Sequence, residues 1–504
     1  MVLLAGLYGS ASVHAHAGRR YHLTMIRTAP LALLALCTLS TVTRADVSLP
    51  SIFGDHMILQ RDAKVPLWGK AAAGERVTVK IAGQEKAITA DDNGKWRVTL
   101  DPINAPDPVE LTVTGDNTIT FKDVLFGEVW VCSGQSNMGF ALKNATGGEE
   151  AVKSTSRPTM RLFTVGRKIA PDAPQEDLSE GKWQVCTPES VAEFSAVAYF
   201  FGRDLQDKLN VPIGLIEPSW GGTRAEAWIP RPTFDSLKLP YEPAWTEQWL
   251  NPPKKPGAAK QEPSRPHEAP ACLYNGMIAP IAGYGIRGVV WYQGETNTAY
   301  GEHYHRVLGA LITSWREAWG QGDPSTGSGQ PFPFLVVQLP NFKNQRFWPI
   351  TREAQARVAR ELTNVGLAVT IDVGESNDIH PREKLTVGKR LALIAQKLAY
   401  GMDVPHSGPV FRSMQVAGSK AILHFDHVCG GLIAKGVVLE GFELAGDDRK
   451  FVPARATIEG ETIVVVADGV AAPKSARYAW ANDPRATLYN KADLPAAPFE
   501  AKND

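Results

Sequence analysis

The chain lacks net charge: 53 Lys plus Arg stand against 53 Asp plus Glu over 504 residues. Without an excess of either sign there is no electrostatic footprint for nucleic acid or an anionic membrane surface. Cysteine is scarce, at five residues, and no pair stands in CxxC or another metal-ligand spacing. HExxH and a phosphate-binding Gly loop are absent. His303-x-His305 falls on a predicted helix, where i and i+2 point to different faces. His424-x-x-His427 ends a predicted strand and has no third ligand nearby. No metal and no cofactor are therefore expected. Beyond residue 45 no run is long and apolar enough to span a bilayer.

What remains is an ordinary folded composition, 44% hydrophobic and 21% charged, with 45 Gly and 36 Pro to supply many turns. Its length suits about three domains. The N-terminus carries Met25-Ile26-Arg27, then the short apolar run Leu31–Cys37, then Thr43-Arg44-Ala45. This pattern reads as a secretory signal cleaved after Ala45. Residues 1–24 lie upstream of a better start at Met25. The expected location is secreted or periplasmic. Cys132, Cys186, Cys272 and Cys429 remain after cleavage, and export permits disulfides among them. Cys132, inside the apolar run Val129–Cys132, is expected as a buried free thiol.

Residues 46–124 read as an N-terminal β domain. Short alternating runs (Val65–Gly69, Val77–Ile81, Lys95–Leu100, Glu110–Thr114) are separated by turns such as Asp92-Asn93-Gly94. From 125 to 404 the pattern changes. Apolar strands at Glu128–Cys132, Pro212–Glu217, Gly288–Tyr292, Phe334–Leu339 and Gly366–Asp372 alternate with helices. In 302–319, Tyr304, Val307, Leu308, Leu311 and Trp315 recur at helical spacing, and Val387, Leu391, Ile394 and Leu398 do so in 383–399. Such alternation predicts an α/β domain of three layers, with a parallel sheet covered on both faces. Residues 405–504 return to β. Segments 251–270 and 321–330 read as loops, the first a lid or a plain surface loop.

Ligands of open parallel sheets bind beyond the carboxyl ends of the strands. Those ends carry Ser133–Met138, Ser219–Thr223, Gln293–Asn297 and Gly374–Pro381, so one rim collects a hydroxyl, a Gly pair, an amide, carboxylates and an imidazole. These are the parts of a serine hydrolase. A Ser hydroxyl needs a base in reach, and the base an orienting acid. Ser136 sits at a strand-to-helix turn, although Met138 breaks a GxSxG elbow, and taken alone it reads better as a helix N-cap. His380 follows the last strand with Asp378 two residues before it; Asp372 is a second candidate acid. Candidate oxyanion donors are the Ser136 N–H, the Gly222 N–H and the Gln293 side chain, although a Gly pair is more often a mere turn and a Gln a mere strand terminator. The aromatics Trp220, Trp228, Trp291, Tyr292, Phe347 and Trp348 crowd these segments; rings near a polar site suit sugar faces, although most Trp and Tyr pack in cores. Asn137, Glu295, Arg224 and Trp220 are candidate substrate-binding residues.

Four ordered blocks resemble the sialate O-acetylesterase family within the SGNH (GDSL-like) hydrolases: Gly127–Trp130 with Gly134–Met138, Trp220–Trp228, Trp291–Asn297 and Asp378–Pro381. Leu49–Met57 and Tyr478–Lys491 extend the resemblance over the mature chain. It implies a three-layer esterase domain flanked by β-sandwich-like regions, acting on acetylated carbohydrate without a cofactor. It implies Ser136 as nucleophile, His380 as base, Asp378 as orienting acid, and an oxyanion hole of Ser136, Gly222 and a third-block side chain. SGNH enzymes broadly use Asn in the third block, where this chain has Gln293. Relatives act on acetylated sialic acids or on acetylated plant polysaccharides such as xylan and xyloglucan. A second expectation, of another class, is a non-catalytic carbohydrate-binding protein on an inactive esterase scaffold.

Overall fold

The computed structural model describes residues 46–242, 265–321, 330–344 and 347–502. The expected leader and most of the two expected loops, at 251–264 and 322–329, lie outside the described residues.

The central sheet is built from β1 (Thr118–Gly134), β2 (Arg157–Thr164), β3 (Trp183–Cys186), β4 (Ile213–Glu217), β5 (Gly288–Tyr292), β6 (Phe334–Val337) and β7 (Val365–Ala368). Their order is β7-β6-β5-β1-β4-β2-β3. All neighbours are parallel except β3, which pairs antiparallel to β2 and makes the sheet mixed. β2 and β3 carry too many polar residues to read as buried strands, and the sequence reading omits both. Helices α1 (Ala196–Leu209), α2 (Gly301–Ala318), α3 (Trp348–Glu361) and α4 (Leu385–Leu398) cover the sheet.

The period-2 alternation of a strand explains the two-sided burial. Trp130, Cys132, Val290, Tyr292, Leu335 and Val337 pack with α1 and α4 residues such as Phe201 and Leu391. Their neighbours Val129, Val131, Val289, Trp291, Phe334 and Val336 pack in the opposite core with Val307, Leu311 and Trp315 of α2 and Val358 of α3. The helical periodicity at 302–319 and 383–399 thus corresponds to α2 and α4.

β1 runs 17 residues and belongs to two structures. Its first half pairs with Val109–Thr114 of the N-terminal β region, and its second half is the central strand of the parallel sheet. Residue 124 therefore falls inside a strand. At the other end two four-stranded antiparallel sheets enclose a separate core of Leu423, Ile463, Val465, Leu444 and Tyr478. Val369 and Ile371, just after β7, join that core. Buried Arg352 on α3 donates to the carbonyls of Ala481 and Asn482, which ties the C-terminal region to the sheet. Cys132, Cys186, Cys272 and Cys429 are all free thiols, the first three buried.

Candidate active site

The nucleophile segment is placed by backbone. β1 ends at Gly134, whose φ is +142°, and a Cβ there would lie 2.1 Å from the Tyr292 carbonyl oxygen. Only glycine lets β1 and β5 approach this closely. The next residue locks the turn, since the Gln135 N–H donates to the same Tyr292 oxygen at 3.1 Å. Met138 and Gly139 N–H groups then donate back to the Gln135 carbonyl. Ser136 stands half-buried at the tip and caps no helix, because the segment is a turn.

The glycine block comes from the end of β4. The Trp220 N–H donates to the Gly134 carbonyl at 3.1 Å. Gly221 then passes so near the serine that a Cβ on it would sit 3.2 Å from Ser136 Cβ. The N–H groups of Ser136 and Gly222 meet no acceptor among the described residues.

His380 closes the arrangement. Its Nε2 lies 2.7 Å from Ser136 Oγ. Burial pulls the His380 pKa below the ordinary histidine value; the Asp378 carboxylate opposes this and the Lys384 ammonium adds to it. A neutral imidazole carrying its proton on Nδ1 can accept the serine hydroxyl proton across this contact.

Asp378 contacts the ring less directly. Its Oδ1 accepts the His380 backbone N–H at 2.9 Å and lies 4.0 Å from Nδ1. Asp372 is elsewhere: Arg390 grips its two oxygens at 2.6 and 2.7 Å, and Tyr489 donates to it at 2.9 Å. That carboxylate is spent on joining α4 to the C-terminal region, so the alternative acid is corrected to a structural residue.

Three further expectations change. Gln293 is fully buried, and its Nε2 donates to Asn297 Oδ1 at 2.7 Å, to the Thr223 carbonyl and to Gln135 Oε1. An amide whose hydrogens are spent within the protein is not an oxyanion donor. Asn137 and Glu295 are buried too and bond to each other at 2.6 Å, which removes them from direct substrate contact. Arg224 is turned inward against Glu268 and the Tyr300 ring. Of the crowded aromatics, Trp228, Trp291, Tyr292 and Trp348 are core residues. Trp220 stays half-buried, stacked on His267 at 5.3 Å with Arg167 near its ring, and Phe347 is exposed.

The sequence reading missed Lys384. This buried ammonium donates to Asn137 Oδ1 at 2.6 Å, 247 positions away in the chain. Nothing local marks it, since its partner comes from another block. Among the described residues no three His, Cys, Asp or Glu side chains converge as a metal-ligand set.

Residues 126–397 match the family model for carbohydrate esterases described as sialic acid-specific acetylesterase. The human sialate O-acetylesterase is 32% identical over 90% of this chain and 92% of its own length. The rat sialate O-acetylesterase is 30% identical over 95% of this chain and 99% of its own. A solved carbohydrate acetylesterase from Xanthomonas citri superposes with a TM-score of 0.81 at 35% identity, covering 91% of this chain and all of the other. The matched span begins within β1 and ends within α4, so it holds Ser136, the Gly pair and His380 together. By that span and those relatives, the chain belongs to the sialic acid-specific acetylesterase family of carbohydrate esterases.

Proposed function

We propose that the protein removes acetyl groups from sugar hydroxyls through an acyl-enzyme formed on Ser136. The observation that carries this reading is the 2.7 Å contact between Ser136 Oγ and His380 Nε2. Ser136 Oγ attacks the acetyl carbonyl carbon as its proton passes to Nε2. The oxyanion forms against the unengaged N–H groups of Ser136 and Gly222, which cost no reorganisation to present. Collapse breaks the bond to the sugar oxygen, which takes the proton from Nε2. Water then gives a proton to Nε2 and attacks the acetyl carbonyl; the bond to Ser136 Oγ breaks as Nε2 returns that proton to Oγ, and acetic acid leaves and ionises to acetate.

Asp378 acts on the imidazolium through charge at 4.0 Å rather than through a ring hydrogen bond. The relatives' names support acetylated sialic acid as substrate; acetylated xylan and xyloglucan are the competing glycans. The segment at 25–45 supports export to the periplasm or medium.

Acetate release from those three glycans, and from an aryl acetate, tests the reading. Ser136→Ala is expected to lower turnover at least about 10³-fold with folding intact. Near-normal turnover in that folded variant overturns it.

A further inference from the structure

We propose that Lys384 and Asn137 are positioning residues: the buried ammonium orients the Asn137 amide, which holds the base loop against the nucleophile turn. The inference rests on the Ser136–His380 reading above.

Every polar atom of the Asn137 side chain is engaged. Its Oδ1 accepts from Lys384 Nζ at 2.6 Å. Its Nδ2 donates to Glu295 Oε1 at 2.6 Å and to the Ile379 carbonyl at 2.9 Å. A protonated Lys384 has only hydrogens to give, and the Ile379 carbonyl has only lone pairs whatever the protonation of its neighbours. The amide therefore has one orientation; the flipped one would set its NH₂ against the ammonium. The consequence is spatial. Asn137 follows Ser136 and Ile379 precedes His380, so this amide joins the two segments one residue from each reacting group.

The ammonium is costly where it lies. No carboxylate among the described residues contacts it directly, and it sits over the Phe140 and Tyr292 rings at 5.0 and 5.2 Å. Burial pushes Lys384 down to about 7, against the opposing pull of Glu295, Asp378, Glu375 and Glu383. Burial likewise raises Glu295, whose Oε2 has no hydrogen-bond partner among the described residues. An apolar side chain of similar volume would avoid this cost. What such a side chain cannot do is fix the amide. A displacement of about 1 Å between nucleophile and base costs on the order of 100-fold in rate, so a fixed amide here bears on turnover.

The full chain with Lys384→Met tests this on an aryl acetate. Turnover is expected to fall about 10- to 100-fold with KM changed less than about threefold. The acid limb of the pH profile is expected to move to higher pH, because a cation that lowers the His380 pKa is gone while Asp378 remains. Asn137→Leu is the second variant. Because both residues act through one amide, the double variant is expected to lose no more than the worse single one. Folded Lys384→Met with turnover within about threefold of the parent, or additive losses in the cycle, overturns the proposal. Retained turnover in Ser136→Ala would instead strike the Ser136–His380 reading, so the two failures are distinguishable.

Discussion

Ser136 and His380 meet at 2.7 Å, yet the segments that deliver them are built on opposite principles. The serine follows the central strand of the sheet, and its turn is clamped by main-chain bonds to β5 and β4. The histidine sits beyond the edge strand β7 on a loop whose residues 375–378 are exposed. Main-chain clamps use atoms every residue carries, so they tolerate side-chain change but not an added Cβ. The base loop depends on particular side chains, among them Asp378, Asn137 and Glu375, which accepts the Arg382 N–H. One half of the site is thus fixed by fold and the other by chemistry.

The sharpest way to break this contrast is to add one methyl group to the clamped half. Gly134→Ala forces a Cβ to 2.1 Å from a carbonyl oxygen at φ +142°. We expect a loss of at least about 3 kcal/mol of stability, read by chemical denaturation, with activity lost as well. His380→Ala is the matched test of the other half. Turnover is expected to fall about 10³-fold or more, yet stability should stay within about 0.5 kcal/mol of the parent, because the loop is exposed. Equal destabilisation by the two variants would erase the distinction.

The two aspartates sharpen it further. Asp378→Asn keeps an oxygen for the His380 N–H and loses only the charge 4.0 Å from Nδ1, so a loss of about 10-fold in turnover is expected. Asp372→Asn removes the carboxylate under Arg390 and Tyr489. It is expected to cost about 1–3 kcal/mol of stability with turnover within about threefold. Reversed outcomes in paired denaturation and kinetic runs would return Asp372 to the site.

The same division governs how much of the molecule is legible in the sequence. β1, β4, β5 and β6 are near-continuous apolar runs, so their existence and the residues past their ends can be read directly. α2 and α4 show their stripes. β2 cannot be read this way, because Arg157, Thr159 and Arg161 break its apolar pattern; in the fold Arg157 reaches Asp207 and Arg161 reaches Asp123. In the site, Ser136, His380 and Asp378 are marked by place and residue type. What is hidden is which polar residues face inward. Gln293, Asn137 and Glu295 have the side chains of substrate contacts, and their partners, 158 residues apart in two of the bonds, turn them into internal struts. Composition near a strand end reports that polar groups are needed, not which way they point.

The smallest expected effect concerns the proton itself. The imidazole works as a base only when neutral, so activity falls as pH drops through the His380 pKa. Burial lowers that pKa and outweighs the pull of Asp378, with Lys384 acting in the same direction as burial. The acid limb of kcat/KM is therefore expected to have its midpoint below the ordinary histidine value of about 6.5. Asp378→Asn removes the one neighbour that raises the pKa, so its limb should lie lower still, with a smaller plateau. A His380 dominated by its carboxylate would instead put the parent's midpoint above that value, with a large fall in the variant. Profiles of both proteins on an aryl acetate decide between a base tuned by burial and one tuned by its acid. The 4.0 Å gap to Asp378, against 2.7 Å to Ser136, favours burial.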